Sequence, residues 1–517
     1  MNRTAGAELG KVHLVGIGGA GMSGIARILL ARGVPVSGSD ARESATSAAL
    51  RGAGATVHIG HDAANVAGVD TVVVSTAIRD VNPEVVEAHR LGLRVLRRAA
   101  ALAAVMAGRR GIAIAGTHGK TSTTSMLVTA AQACGADPAY AIGGELAGSG
   151  VNAADGTGEL FVAEADESDG SFLLLSPYAA VVTNVEADHL DQHGTAEQVA
   201  VVFEQFARRI DPDGFLVFCA DDPGARRTAR AAAGTGLRTR SYGVDAGDLR
   251  LTELVEDAAG TRWRPVLDGT PLPPVRVPVP GRHMALNSAA ALLTGLGLGL
   301  PVDCLVDGLG RYAGVRRRFE RRGEAAGVTV YDDYAHHPTE VAAQLRAART
   351  VAGPGRVLVA FQPHLFSRTA AFARDFGTAL GLADEVVVLD VYAAREDPVP
   401  GVTGALVADA VPLPADRVLF APDRSEVAGE LARRARPGDL VITMGAGDVT
   451  ALGRTSSPRW PGPRRAGETA DPAGRAPQRA GEPADWGDRV AGPACPRSAP
   501  VSRRTRVAGP AVPGGRR

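Results

Sequence analysis

Three times along this chain a short apolar run ends in a glycine turn and opens into a helix-forming stretch. Val12-His13-Leu14-Val15 leads into Gly16-Ile17-Gly18-Gly19-Ala20-Gly21, residues 111–115 lead into Gly116-Thr117-His118-Gly119-Lys120-Thr121, and Leu440–Met444 leads into Gly445-Ala446-Gly447-Asp448. A strand that turns at glycine into a helix builds βαβ units, and these build parallel sheets covered on both faces. Further β-branched runs at 72–74, 181–183, 328–331, 357–360 and 386–389 alternate with Ala/Leu/Arg-rich stretches in the same rhythm. At about 150 residues per domain, 517 residues are too many for one core. The pattern predicts an α/β protein with breaks at Gly/Arg-rich stretches near 108 and 314. The segments are then 1–108, 109–314 and 315–453. Aromatics are only 4% of the chain, so the cores must be built from Ala, Val, Leu and Gly.

The stretch 454–517 differs in kind. It holds 11 of the 33 prolines and two of the three tryptophans, with no apolar periodicity. Such a segment buries too little surface to offset its ordering entropy, and it reads as a disordered tail. It carries 13 arginines against five acids. The formal net charge of zero is therefore a cancellation between a body at −8 and a tail at +8. The tail's charges are scattered, which favours a passive extension over a nucleic-acid-binding arm. No charged segment followed by an apolar one opens the chain, and the apolar stretch near 289–300 is too short for a bilayer. Cys134, Cys219, Cys304 and Cys495 are far apart and show no CxxC spacing, so unpaired thiols in a reducing compartment are expected. The chain reads as cytoplasmic, with no membrane or nucleic-acid partner. Its oligomeric state is open.

The motifs point to phosphates. Gly18, Gly19, Ala20, Gly21 and Met22 place backbone N–H groups at a helix start, where a pyrophosphate binds. Asp40 ends the next strand-like run, where a carboxylate would accept ribose hydroxyls. By itself this allows a nicotinamide-dependent oxidoreductase. The second loop, Gly116, Thr117, His118, Gly119, Lys120, Thr121 and Ser122, has the Gly-Lys-Thr end of a phosphate loop but not its usual glycine spacing. Scarcity strengthens this reading. Only Lys11 and Lys120 are lysines, and a planar guanidinium is a poor substitute for a compact ammonium in a phosphate cradle. Acids follow two later apolar runs, as Glu164-Ala165-Asp166-Glu167-Ser168-Asp169 and Asn184-Val185-Glu186-Ala187-Asp188-His189-Leu190-Asp191. Glu164 and His189 are candidate cation ligands there. His283 and Asn287 lie four apart on one helical face, suited to a base edge. His336 and His337 suggest a metal site, but sequence neighbours point apart and no HxH or HExxH occurs. Substrate and phosphate contacts are the preferred reading for that block.

These motifs together resemble the Mur ligase family over about residues 11–453. The resemblance rests on HLVGIGGAGMSGIA at 13–26, GTHGKT at 116–121, AEADESD at 163–169, TNVEADHLD at 183–191, DDYAHHPTE at 332–340, FQPHLFSRT at 361–369 and MGAGDV at 444–449. The double-glycine first loop and the DDYAHHP block look most like the alanine-adding branch or its relative that recycles murein peptides. The resemblance implies Rossmann-like N- and C-terminal domains around a central ATPase domain. It implies ATP-dependent amide formation between UDP-N-acetylmuramate and L-alanine through an acyl phosphate, with ATP and two Mg²⁺ as cofactors. Carried onto this chain, Lys120 and Asn184 serve the transferring phosphate, Thr121, Glu164 and His189 hold metal, and His283 and Asn287 meet adenine. Asp332 or Asp333 meets ribose. Gly18 to Met22, Asp40, Ser75 and Thr76 hold the UDP part, and Tyr334, His336, His364 and Arg368 close on sugar and amino acid. Several family members carry a carbamoylated lysine after the Asp-His motif. No lysine follows Lys120 here, as in the alanine-adding branch.

Overall fold

The computed structural model describes residues 7–394 and 396–453. The reading of 454–517 as a disordered tail, and with it Cys495, lies outside these residues.

The three strand–glycine–helix units fall in three separate sheets. The first sheet comprises β1 (Val12–Val15), β2 (Val36–Asp40), β3 (Thr56–Ile59), β4 (Thr71–Val74) and β5 (Arg94–Arg97), in the order β3-β2-β1-β4-β5. All its pairings are parallel. The chain order reverses between β1 and β4, so the glycine loop after β1 opens at a switch point of the doubly wound kind.

The second sheet starts with β6 (Arg110–Ala115), β7 (Ala139–Ala141), β8 (Ala153–Ala154), β9 (Leu160–Glu164), β10 (Ala179–Val182), β11 (Phe215–Cys219) and β12 (Arg238–Gly243). It continues through β13 (Leu249–Asp257), β14 (Gly260–Leu267), β15 (Thr270–Pro271) and β16 (Val275–Val277). β6 lies between β10 and β9, parallel to both. The β13–β16 meander extends one edge with antiparallel pairs, which the parallel-sheet expectation did not include. The third sheet holds β17 (Glu320–Ala325), β18 (Val328–Asp333), β19 (Val357–Phe361), β20 (Glu385–Val388), β21 (Val418–Phe420) and β22 (Leu440–Met444), in the order β17-β18-β22-β19-β20-β21. Only β17 runs antiparallel there.

The central strands β1, β4, β10, β19 and β22 are buried at every residue, as sheets with both faces covered require. Aliphatic and small residues make up most of this core, and Trp263, Tyr242, Tyr312 and Phe161 are its largest buried members. The helix Lys120–Ala133 runs inside the protein, with ten of its fourteen residues buried. Gly308 of the neighbouring helix Val302–Gly310 lies so close that a Cβ there would stand 2.6 Å from the Ala130 Cα.

The same packing overturns the expectation for two cysteines. Cys134, at the end of helix Lys120–Ala133, is joined by a disulfide to Cys304 of helix Val302–Gly310, 170 residues away. Linear spacing carries no information about two helices brought side by side. Cys219 is a free buried thiol, with burial pushing it up to about 11. No helix among the described residues is long and apolar enough to cross a membrane.

In the first sheet Glu84 is wholly buried. Its carboxylate accepts from Ser39 Oγ at 2.6 Å and Asn65 Nδ2 at 2.6 Å, with His61 Nδ1 at 3.0 Å and His13 Nε2 at 3.6 Å. Burial favours the neutral acid, but these partners win and hold the carboxyl down at about 2.

Two measurements check this packing. Digestion of the denatured, alkylated, unreduced chain should yield one cross-linked peptide joining Cys134 to Cys304. Reduction should lower stability by about 2–4 kcal/mol, read from the denaturant midpoint. Glu84 is depressed when folded, so its stabilisation is full above about pH 4.5 and is lost as pH falls towards 2. Glu84→Gln should therefore be less stable than wild type at pH 6, and the gap should shrink as pH falls below 4.5 and close only near or below pH 2. A gap unchanged with pH would exclude an ionised Glu84.

Candidate active site

The loop 116–119 leaves the C-terminal end of β6 and turns into helix Lys120–Ala133. Gly116 and Gly119 have φ of 131° and 83°, which only glycine adopts without strain. Both are also tightly covered. A Cβ on Gly116 would overlap the Thr183 hydroxyl, and one on Gly119 would stand 2.6 Å from Asn287 Oδ1.

The acids arrive here because β9 and β10 flank β6. Lys120 Nζ donates to Gly116 O at 2.7 Å, Thr117 O at 3.1 Å and Glu167 Oε1 at 2.9 Å. Burial works against its charge, but Glu167, Asp166 and Glu164 overcome that and hold Lys120 above its ordinary range. Glu167 is pushed up to about 7, by burial against the pull of Lys120. Thr121 Oγ1 donates to Glu164 Oε1 at 3.1 Å, and Glu164 Oε2 accepts Gly143 N at 2.8 Å. This hydroxyl–carboxylate pair is a fitting hard-cation site. His189 lines one cavity with Thr121 and Glu164, and its buried Nδ1 has no hydrogen-bond partner among the described residues. Burial lowers its imidazole to about 4, so it is neutral with a free lone pair.

Asn184 braces the loop. Its Oδ1 accepts His118 N at 2.8 Å and its Nδ2 donates to His118 O at 3.2 Å. His283, partly buried and lowered to about 4 by that burial, lines a cavity of about 140 Å³ beside the loop. Asn287, Ser122 and Asp333 line it too. Asp333 and Asp332 diverge. Asp333 accepts Phe319 N at 2.6 Å and Ala335 N at 2.7 Å, and burial raises it to about 7. Asp332 turns away, bonded by Thr443 Oγ1 at 2.7 Å and Thr450 Oγ1 at 2.5 Å.

A larger cavity of about 1100 Å³ joins the three sheets. Gly19, Ala20, Gly21 and Met22 line it from the first, with Ser75 and Thr76. Gly18 and Asp40 lie behind, with Gly18 N donating to Asp40 Oδ2 at 3.0 Å. Thr117, Gly119, Lys120, Thr121, Glu164 and His189 line it from the second. Tyr334, His336, His364 and Arg368 line it from the third, with the His336 and His364 rings 6.0 Å apart. The Arg317 and Arg318 guanidinium groups lie 4.8 and 5.2 Å from the Tyr334 ring centre.

Side chains also tie the second sheet's loops to the third sheet's helices. Arg368 Nη2 donates to Asp188 Oδ1 at 2.7 Å and overcomes burial to hold Asp188 far below the usual carboxylate range. Thr339 Oγ1 donates to Glu186 Oε2 at 2.7 Å. His118 lies between Glu186 at 3.4 Å and Glu340 at 3.3 Å. Burial opposes its protonation, but the two carboxylates hold it up at about 9.

Sequence reasoning missed Glu167, Glu186 and Glu340 as members of the site, and it missed Arg98, which lines the large cavity and donates to Asp166 at 2.9 Å. Glu167, Glu186 and Glu340 stand inside quoted motifs, so the signal was available. Arg98 carried none in a chain with 54 arginines.

A phosphate loop, a hydroxyl–carboxylate cation site and two glycine- and histidine-lined walls around one cavity define a nucleotide-dependent α/β enzyme. The family description "Mur ligase family, catalytic domain" matches residues 11–110, "Mur ligase middle domain" matches 114–295, and "Mur ligase, glutamate ligase domain" matches 317–447. A UDP-N-acetylmuramate–L-alanine ligase of Nocardioides is 62% identical over 446 residues, covering 86% of this chain and 95% of that protein. Its counterpart in Saccharopolyspora erythraea is 60% identical over 454 residues, covering 86% and 92%. The crystal structure of UDP-N-acetylmuramate-alanine ligase from Thermotoga maritima superposes with a TM-score of 0.74 at 29% identity, covering 86% and 97%. A murein peptide ligase from Psychrobacter arcticus, at 24% identity and TM-score 0.64, shares the fold. The chain belongs to the Mur ligase family.

Lys120→Arg should lower turnover by at least about 100-fold while leaving the thermal unfolding midpoint within a few degrees, because the guanidinium does not fit between Gly116 O and Thr117 O. Steady-state ADP release measures it. Activity within tenfold of wild type would remove Lys120 from the phosphate-transfer step.

Proposed function

We propose that this chain is an ATP-dependent ligase that joins L-alanine to the lactyl carboxylate of UDP-N-acetylmuramate, in peptidoglycan synthesis. The observation that carries this is the single cavity onto which the β1 glycine loop, the phosphate loop and the Tyr334–Arg368 wall all open. A ligase of this kind must hold a UDP-sugar, a nucleotide and an amino acid within bonding reach, and one shared cavity allows it. The identity of the acceptor rests on the alanine ligases at 62% and 60% identity. An oxidoreductase built on the first glycine loop leaves the Lys120, Thr121 and Glu164 cluster without a task.

In this reading the lactyl carboxylate attacks the γ-phosphate and forms an acyl phosphate. The alanine amine then attacks that carbonyl, and phosphate leaves. No protein nucleophile is required, so the chain acts by positioning and charge neutralisation. Lys120 exchanges its bond to Glu167 for the transferring phosphoryl oxygens. The loop backbone, held by Asn184, directs N–H groups at the same oxygens. Thr121 and Glu164 would hold one Mg²⁺ and His189 a second, supplying positive charge beside the phosphates. His283 and Asn287 take the adenine. Of the two aspartates, Asp333 faces that pocket. Gly19 to Met22 take the UDP pyrophosphate, and Tyr334, His336, His364 and Arg368 border the sugar and the amine. The domains run 1–108, 109–314 and 315–453, and the reaction is cytoplasmic, where its nucleotide substrates are.

The test is ADP release with each substrate omitted in turn. Turnover should require ATP, UDP-N-acetylmuramate and L-alanine together, and a tripeptide in place of L-alanine should not support it. Preference for the tripeptide would reassign the chain to peptide recycling. NADH binding without any ADP release would remove the ligase reading altogether.

A further inference from the structure

The cluster where the phosphate loop meets the third sheet holds more ligating groups than phosphate binding uses. His118 comes from the loop after β6, Glu186 from the loop after β10, and His337 caps the helix Pro338–Ala352. One ligating atom from each lies within 4.8 Å of the other two. The His118 and His337 rings stand 4.7 Å apart, tilted by 39°. His337 is only 5% exposed, and its buried Nε2 has no hydrogen-bond partner among the described residues, while His118 Nε2 has only the Glu186 carboxylate, at 3.4 Å. A buried imidazole nitrogen without a partner is costly, and one set beside a second imidazole and its carboxylate needs an explanation.

We propose that His118, Glu186 and His337 form a binding site for a borderline transition-metal dication, Zn²⁺ or Co²⁺, separate from the cation site at Thr121 and Glu164. Two imidazoles and a carboxylate, with water in the fourth position, are a common zinc ligand set, whereas Mg²⁺ prefers oxygen. The outer partner is also in place. Glu340 stands 3.3 Å from His118 Nδ1, the carboxylate–histidine arrangement that leaves Nε2 for a metal. His118 and Glu186 are 3.4 Å apart, close to the ~3.3 Å between two ligands on a tetrahedral zinc ion. His337 then closes in by at most about 1.5 Å. On binding, the His118 Nε2–H bond breaks, its proton passes to water, and an N–metal bond forms. His337 moves its proton to Nδ1 and gives up the long 3.4 Å bond from Thr339 N. The ion ties the second sheet's loops to the third sheet's first helix.

The test is a Co²⁺ titration of the full chain in saturating Mg²⁺, read by visible absorption. One equivalent should give the intense bands of four-coordinate cobalt, and one equivalent of Zn²⁺ should remove them. Glu164→Gln, which damages the other cation site, should keep the bands. His337→Asn and Glu186→Gln should each lose them, with folding checked by thermal melting; Glu186 is partly exposed, so its substitution is the milder one. Weak six-coordinate bands in the wild-type chain, or intense bands that survive in Glu186→Gln or disappear in Glu164→Gln, would overturn the site.

Discussion

The position of β6 between β10 and β9 is the constraint on which the active site depends. Parallel strands present their C-terminal ends to one side, so three consecutive loops must emerge together. The turn after β6 opens the helix that begins with Lys120 and Thr121, β9 ends at Glu164 with Glu167 in the loop beyond it, and the loop after β10 supplies Asn184, Glu186, Asp188 and His189. Lys120 then meets Glu167 at 2.9 Å, and Thr121 meets Glu164 at 3.1 Å. Residues some forty positions apart become neighbours through hydrogen-bonded register alone.

That arrangement also reconciles an acidic body with anionic substrates. The field that matters is local, because buried charges are screened little by salt. Lys120, Arg98, Arg317 and Arg368 converge on the large cavity, each near a carboxylate or a ring that holds it in place. The carboxylates work in both directions. They keep Lys120 charged where burial would neutralise it, and burial in turn pushes Glu167 up to about 7. Contacts such as Arg368 to Asp188 and Thr339 to Glu186 bring the third sheet's helices onto this centre.

The glycine turns, the buried strands and the motif residues of the phosphate loop could be read directly. Each depends on local chemistry: positive φ at Gly116 and Gly119, β-branched runs, and a lone lysine among arginines. Three features resisted. The β13–β16 meander is antiparallel inside an otherwise parallel pattern, and its alternation of exposed and buried residues was overshadowed by the βαβ rhythm. Asp332 and Asp333 are adjacent and chemically identical, yet strand alternation sends them to different partners, the threonines Thr443 and Thr450 for one and backbone amides for the other. The Cys134–Cys304 disulfide leaves no mark on cysteine spacing along the chain, because only packing brings its two helices together.

By itself the sequence determined the βαβ architecture, the family, and the glycine loop and side chains proposed for phosphate binding. These follow from backbone sterics and from functional groups that act at short range along the chain. Tertiary structure alone decided which of those groups touch. It paired Cys134 with Cys304 across 170 residues, placed Glu340 on His118, and set Glu186 beside His337. Strand order and helix packing set these distances, and no local pattern encodes which loop will face which once the sheets are assembled.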